Sequence, residues 1–111
     1  MNAVPLEYFL TVAGVLFAIG GVGFLLRRNL LVLLMSIEVM LNAVNLALVA
    51  FNRIHTAVDS ASQGSVHTGQ LFAFFLIAAE AAEVAVGLAI VLSMFRLKRS
   101  VRTDEADLLR N

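Results

Sequence analysis

The chain contains no cysteine, which excludes disulfides, thiolate metal sites, iron–sulfur ligation and thiol catalysis together. It is also poor in charge. Only 14% of its 111 residues are charged, against 60% hydrophobic, far from the balance of a soluble domain. Neither sign dominates, because eight basic and eight acidic residues cancel. Total charge therefore points neither to nucleic acid nor to an acidic surface as a partner. The two histidines, His55 and His67, stand twelve residues apart in a polar stretch. That is not the i, i+4 spacing of helical metal ligands, and both read as solvated loop residues. No basic residue precedes the first apolar run, which carries Glu7 and is too long for the core of a secretory signal, so it is expected to stay in the mature protein.

What remains is apolar and comes in three long runs. Residues 4–26 are apolar apart from Glu7, Tyr8 and Thr11, with Pro5 where a helix tolerates a missing N–H. Arg27, Arg28 and Asn29 end this run, and apolar character resumes to cover 30–51. So short a connection predicts an antiparallel hairpin of the first two helices. Residues 52–70 are rich in Ser, Thr, Gln, Asn, His and Gly, a loop composition. A third run covers 71–95. The tail, 96–111, is basic and then acidic, and Thr103 or Asp104 could cap a short terminal helix. Each run exceeds about 20 residues, enough at ~1.5 Å per residue to cross a hydrocarbon core of ~30 Å. The fold class expected is an all-α membrane protein of three transmembrane helices in a single membrane domain.

The basic residues set the orientation. Arg27 and Arg28 lie between the first two runs, and Arg96, Lys98, Arg99 and Arg102 follow the third. Three crossings put both clusters on one side, and the positive-inside rule makes it the cytoplasm, with the N-terminus outside. Three helices are too few to enclose a pore, so partner subunits are expected around them in the bilayer.

Three acids fall at bilayer depth. Glu38 is ten residues beyond Arg28, Glu83 is thirteen before Arg96, and Glu80 precedes Glu83 by three, on nearly the same helix face. A rough cost shows what this depth demands. The third run holds thirteen Leu, Ile, Val or Phe residues, worth roughly 4 to 8 kcal/mol of insertion together. Two central acids at about 2.5 to 3.5 kcal/mol each cancel most of that. The third helix is marginal unless its glutamates meet protein, water or a proton. On the second helix, Glu38, Asn42 and Asn45 recur at i, i+4 and i+7 and form one polar stripe, either a hydrated track or interhelical glue. Ala78, Ala79, Ala81, Ala82, Ala85 and Gly87 surround the other two acids with small side chains, which allow close helix approach and leave room for water.

An intramembrane acid is by default a functional group rather than a packing device. A carboxyl group can take up and release a proton, so proton carriage fits these residues chemically. Glu80 and Glu83, one turn apart, should share charge poorly. Glu7 reads as interfacial, and Met35, Met40 and Met94 as packing. Arg27 and Arg28 read as topology determinants.

The string RRNLLVLLMSIEVMLNAVNLALVAF, followed by AAEVAVGLAIVLSMFR, resembles the small three-helix membrane subunit, K in bacteria and 4L in mitochondria, of proton-pumping NADH:quinone oxidoreductase, respiratory complex I. The resemblance covers nearly the whole chain. It implies that Glu38, in SIEVMLNA, and Glu83, in AAEVAVGLA, relay protons or charge along a hydrated axis among antiporter-like membrane subunits. It also implies that Arg27, Arg28 and Asn29 form the cytoplasmic turn. Glu80 departs from the pattern, which has a small or apolar residue there, and is a secondary candidate. By the same resemblance, flavin, iron–sulfur clusters and quinone belong to other subunits, this chain binds no cofactor or metal, and the location is the bacterial inner membrane. Two other classes fit three spans: the small C subunit of multisubunit cation/proton antiporters, disfavoured by Glu38 in its setting, and a purely structural assembly subunit.

Overall fold

The computed structural model describes residues 4–58 and 68–98. Three helices account for nearly all of them: α1 Leu6–Leu26, α2 Leu30–Val58 and α3 Thr68–Lys98. All three are long and apolar enough to cross a membrane. No strand occurs among the described residues, and the chain is an all-α membrane protein.

Local chemistry sets the helix ends. Pro5 stands at the N-cap of α1 in extended conformation, and its carbonyl accepts from Tyr8 N at 3.3 Å. Thr11 Oγ1 donates to the Glu7 carbonyl at 2.7 Å, so this hydroxyl is satisfied inside its own helix. Asn29 starts α2. Its side-chain Oδ1 accepts from Leu31 N at 2.9 Å, and its carbonyl accepts from Leu33 N at 3.0 Å. This is an N-cap, satisfying donors that the first turn of α2 would leave bare. Asn29→Ala should lower stability by about 1 kcal/mol, read as a fall in the denaturant midpoint of the detergent-solubilised chain.

Segment 52–70, expected to be loop throughout, is helical at both ends, since α2 continues to Val58 and α3 begins at Thr68. His55 accordingly lies in the last turn of α2, not in a loop. Polar residues do not end a helix by themselves, and Asn52–Val58 contains neither glycine nor proline. The extra turns are also tied down. Arg53 donates to the Val4 carbonyl at 2.6 Å, with its guanidinium 5.2 Å from the centre of the Phe9 ring. Asn52 Oδ1 accepts from Gly69 N at 3.2 Å, capping the start of α3. His67, Arg99, Arg102, Thr103 and Asp104 lie outside the described residues.

Helix α2 makes the principal contacts with both of the other helices. Against α1 the approach is close. A Cβ on Gly20 would lie 2.5 Å from Met40 Cγ and 2.8 Å from the Ser36 carbonyl oxygen, and one on Gly23 would lie 2.6 Å from Ser36 Oγ. Ser36 Oγ meanwhile donates to the Val32 carbonyl at 2.8 Å, which keeps a buried hydroxyl satisfied beside the glycines. Small residues at such crossings let backbones approach where lipid offers no hydrophobic drive for association. Against α3, Leu34 sits where a Cβ on Gly87 would be, at 2.5 Å. The outward faces stay apolar, with residues such as Leu25 and Phe74 left open to lipid or to other helices.

Candidate functional site

Glu38 lies eight residues into α2 and is half-buried. Together with Asn42 it borders a groove of about 420 Å³ between α2 and α3, walled by Leu31, Leu34, Met35, Val39, Val84 and Leu88. The groove is almost wholly apolar apart from these two polar side chains. Asn42 Nδ2 donates to the Glu38 backbone carbonyl at 2.8 Å, not to its carboxylate. Among the described residues, no hydrogen bond reaches the Glu38 carboxylate, which leaves its full accepting capacity to water or to a partner.

Asn45 faces elsewhere. Its Nδ2 donates to Glu80 Oε1 at 3.2 Å, a buried bond that joins α2 to α3. Within the polar stripe one amide therefore serves its own helix and the other bridges two. Residues three apart are about 60° apart on the helical wheel, enough to turn Asn45 into the interface while Asn42 opens on the groove.

The same offset separates the acids of α3. Ala73, Glu80 and Met94 are buried, and Gly87 meets Leu34, so positions 73, 80, 87 and 94 make a seven-residue seam against α2. Glu80 belongs to this seam and is 6% exposed. Glu83 is off it and faces away from the chain's other helices. The expectation that the two glutamates share a face gives way to two environments, one interior and one open. Ala78, Ala79, Ala81, Ala82 and Ala85 are open as well, so the small side chains around Glu83 line an outer surface that admits close approach by another helix.

Arg27 and Arg28 are exposed in the short connection, with Asn29 half-buried beside them as the cap of α2. The polar stripe and its acids could be read in the sequence. Missed there were Arg53, Asn52 and the cap at Asn29. Asn directly before an apolar helical run is a start signal that could have been read; nothing marks Arg53, whose acceptor is a backbone carbonyl 49 residues away. No three His, Cys, Asp or Glu residues among the described ones are grouped as a metal site.

With this geometry in view, the comparisons with known proteins are specific. The family model described as NADH-ubiquinone/plastoquinone oxidoreductase chain 4L matches residues 8–111. A protein of Sorangium cellulosum (strain So ce56) named NADH-quinone oxidoreductase subunit K is 62% identical over 111 residues, covering 100% of both chains. NADH-quinone oxidoreductase subunit K 1 of Solibacter usitatus (strain Ellin6076) is 46% identical over 111 residues, covering 100% of this chain and 99% of that one. Both matches run the full length of the three-helix unit, and the chain belongs to the family of chain 4L, or subunit K, of NADH-quinone oxidoreductase.

Proposed function

We propose that this chain is the membrane-arm subunit through which a proton-pumping NADH:quinone oxidoreductase relays protons or charge, with Glu38 and Glu83 as the relay groups. The observation that carries the reading is the placement of these two carboxylates. Both stand within membrane-crossing helices, Glu38 half-buried on an open groove between α2 and α3 and Glu83 exposed on the outer face of α3. A carboxylate kept there is expensive unless it exchanges its charge with water, a proton or a neighbouring subunit. The groove at Glu38 gives water or a partner side chain a place beside the acid, and the alanines around Glu83 allow a partner helix to come near.

The electron-transfer chemistry, flavin and iron–sulfur centres with quinone as acceptor, is assigned to other subunits. This chain would contribute proton-holding groups to the path by which that reaction drives translocation, alongside antiporter-like membrane subunits. Both relatives carry the name of a quinone oxidoreductase subunit, which favours this reading over the small subunit of a cation/proton antiporter. The topology that goes with it is an antiparallel hairpin of α1 and α2, N-terminus outside and C-terminus cytoplasmic, in the bacterial inner membrane. Two observations support that topology: Arg27 and Arg28 between the first spans with Arg96 and Lys98 ending the third, and Arg53 near the end of α2 bonding Val4 ahead of α1.

The test is proton pumping by assembled complexes carrying Glu38→Ala or Glu83→Ala. Each should assemble yet acidify inverted membrane vesicles poorly on NADH, falling by on the order of 10²-fold or to background. Near wild-type pumping in an assembled Glu38→Ala complex would count decisively against a relay.

A further inference from the structure

We infer that Asn45 and Glu80 form a proton-binding site between α2 and α3, in which Glu80 is held as a neutral acid in a cyclic acid–amide pair. The relay reading supplies the functional meaning of this site, a third carboxyl group that stores a proton beside Glu38 and Glu83. The chemistry of the pair rests on its own geometry.

Three observations converge on it. Asn45 and Glu80 are 8% and 6% exposed, so both are largely shielded by the chain's own helices. Asn45 Nδ2 already donates to Glu80 Oε1 at 3.2 Å. Yet the other end of the same amide, Asn45 Oδ1, is buried with no hydrogen-bond partner among the described residues. An ionised carboxylate cannot repair this, because it has only acceptors to offer. A protonated one can. With a proton on Oε2, Glu80 presents an O–H donor beside the acceptor already in use, matching the N–H and C=O of a primary amide. One proton closes a ring of two hydrogen bonds and satisfies the orphaned oxygen.

Among the described residues, no cation near Glu80 offsets a negative charge. The nearby titratable groups are Glu38 on α2 and Glu83 on α3, both acids. Helix α1 brings only Glu7 and Tyr8, at its far start, and no Lys or Arg occurs in α2 before Arg53 or in α3 before Arg96. A buried charge lacking a cation is resolved most cheaply by taking up a proton. Seam position adds a reason for the neutral state. Ala73, Gly87 and Met94, which share the seam with Glu80, are apolar and cannot solvate a carboxylate.

The test uses the assembled complex in its membranes at neutral pH, comparing infrared spectra of wild type and Glu80→Gln. The wild type should show one additional carbonyl stretch of a protonated carboxylic acid, shifting in D2O, and Asn45→Leu should move that band to the higher frequency of a non-bonded acid. Loss of an ionised-carboxylate band in Glu80→Gln, with no acid band lost, overturns the proposal. Assembly gives a second reading. Glutamine can make both hydrogen bonds to Asn45, so Glu80→Gln should incorporate at the wild-type level while Glu80→Ala incorporates less. Equal loss in both variants also overturns the pairing. These results separate from the relay: a missing acid band with pumping abolished in Glu38→Ala sinks this site alone, whereas an acid band with normal pumping in Glu38→Ala keeps the site and sinks the relay.

Discussion

Moving the carboxylate one turn along α2, in the double variant Glu38→Ala with Asn42→Glu, should return pumping to within about tenfold of wild type, when Glu38→Ala alone removes on the order of 10²-fold or more. The reason is geometric. Residues 38 and 42 are separated by about 6 Å of helix rise, and both border the same groove between α2 and α3. A hydrated relay needs a titratable group in that space more than it needs a particular position, because a water can bridge the difference. Asn42 can be given up, since among the described residues its amide serves the Glu38 backbone carbonyl and no side chain. Val44 is the control. It lies on the other side of α2, in a pocket lined by Phe17, Phe24, Ile37, Met40 and Leu41, where a carboxylate has only apolar walls. Glu38→Ala with Val44→Glu should stay inactive and assemble poorly. Vesicle acidification on NADH, with NADH oxidation followed in parallel, checks the set. Equal recovery from positions 42 and 44, or none from 42, would separate the groove from the relay.

The spans could be read in the sequence because the bilayer imposes a coarse rule, about 20 apolar residues per crossing, and three runs obey it. Which face of each helix packs could not be read so easily. Helix α3 has Leu, Ile, Val and Phe on all sides, and alanine flanks both of its acids. Neither feature distinguishes Glu80 from Glu83. The distinction comes from α2, because Leu34 meets Gly87 and Asn45 meets Glu80, and pairings 35 or more residues apart leave no local mark. The seven-residue recurrence of Ala73, Glu80, Gly87 and Met94 was present all along, but it becomes a signal only once α2 is known to lie against it. The same holds for the asparagines. Position 42 and position 45 carry one residue type on one stripe, and a 60° turn of the helix assigns the first to its own backbone and the second to the interface. The polar segment 52–70 hides its helical ends for a different reason. Water tolerates polar helix as readily as polar coil, so the polarity that ends a span does not end a helix, and contacts through Asn52 and Arg53 hold the added turns.

Replacing Gly20 with alanine should remove this chain from the assembled complex, while Gly14→Ala leaves it in place. The two positions are chemically alike on the page of the sequence, both glycines in one apolar helix, and differ only in what a methyl group would meet. Around Gly14 no other helix among the described residues lies within 4 Å of an added Cβ. At Gly20 the methyl would meet Met40 Cγ at 2.5 Å, the Ser36 carbonyl oxygen at 2.8 Å and Met40 N at 3.2 Å. The methionine side chain can swing aside, being unbranched and flexible. The Ser36 carbonyl cannot, since it is part of the α2 backbone. Relief requires the helices to part by roughly 0.6 Å, the difference between 2.8 Å and the 3.4 Å at which ordinary contact begins. Overpacking of this kind costs about 1–3 kcal/mol even in cores that can adjust. In a bilayer the penalty weighs more heavily, because lipid competes on equal terms for apolar surface and close packing is the main force holding α1 to α2. Parting them also opens the crossing around Ser36 and Gly23 and loosens the helix that carries Glu38. Native gel electrophoresis of solubilised membranes, probed for this chain, measures the outcome. A Gly20→Ala complex as abundant as the Gly14→Ala one would mean that the α1–α2 crossing is held by partner subunits and not by the glycine seam.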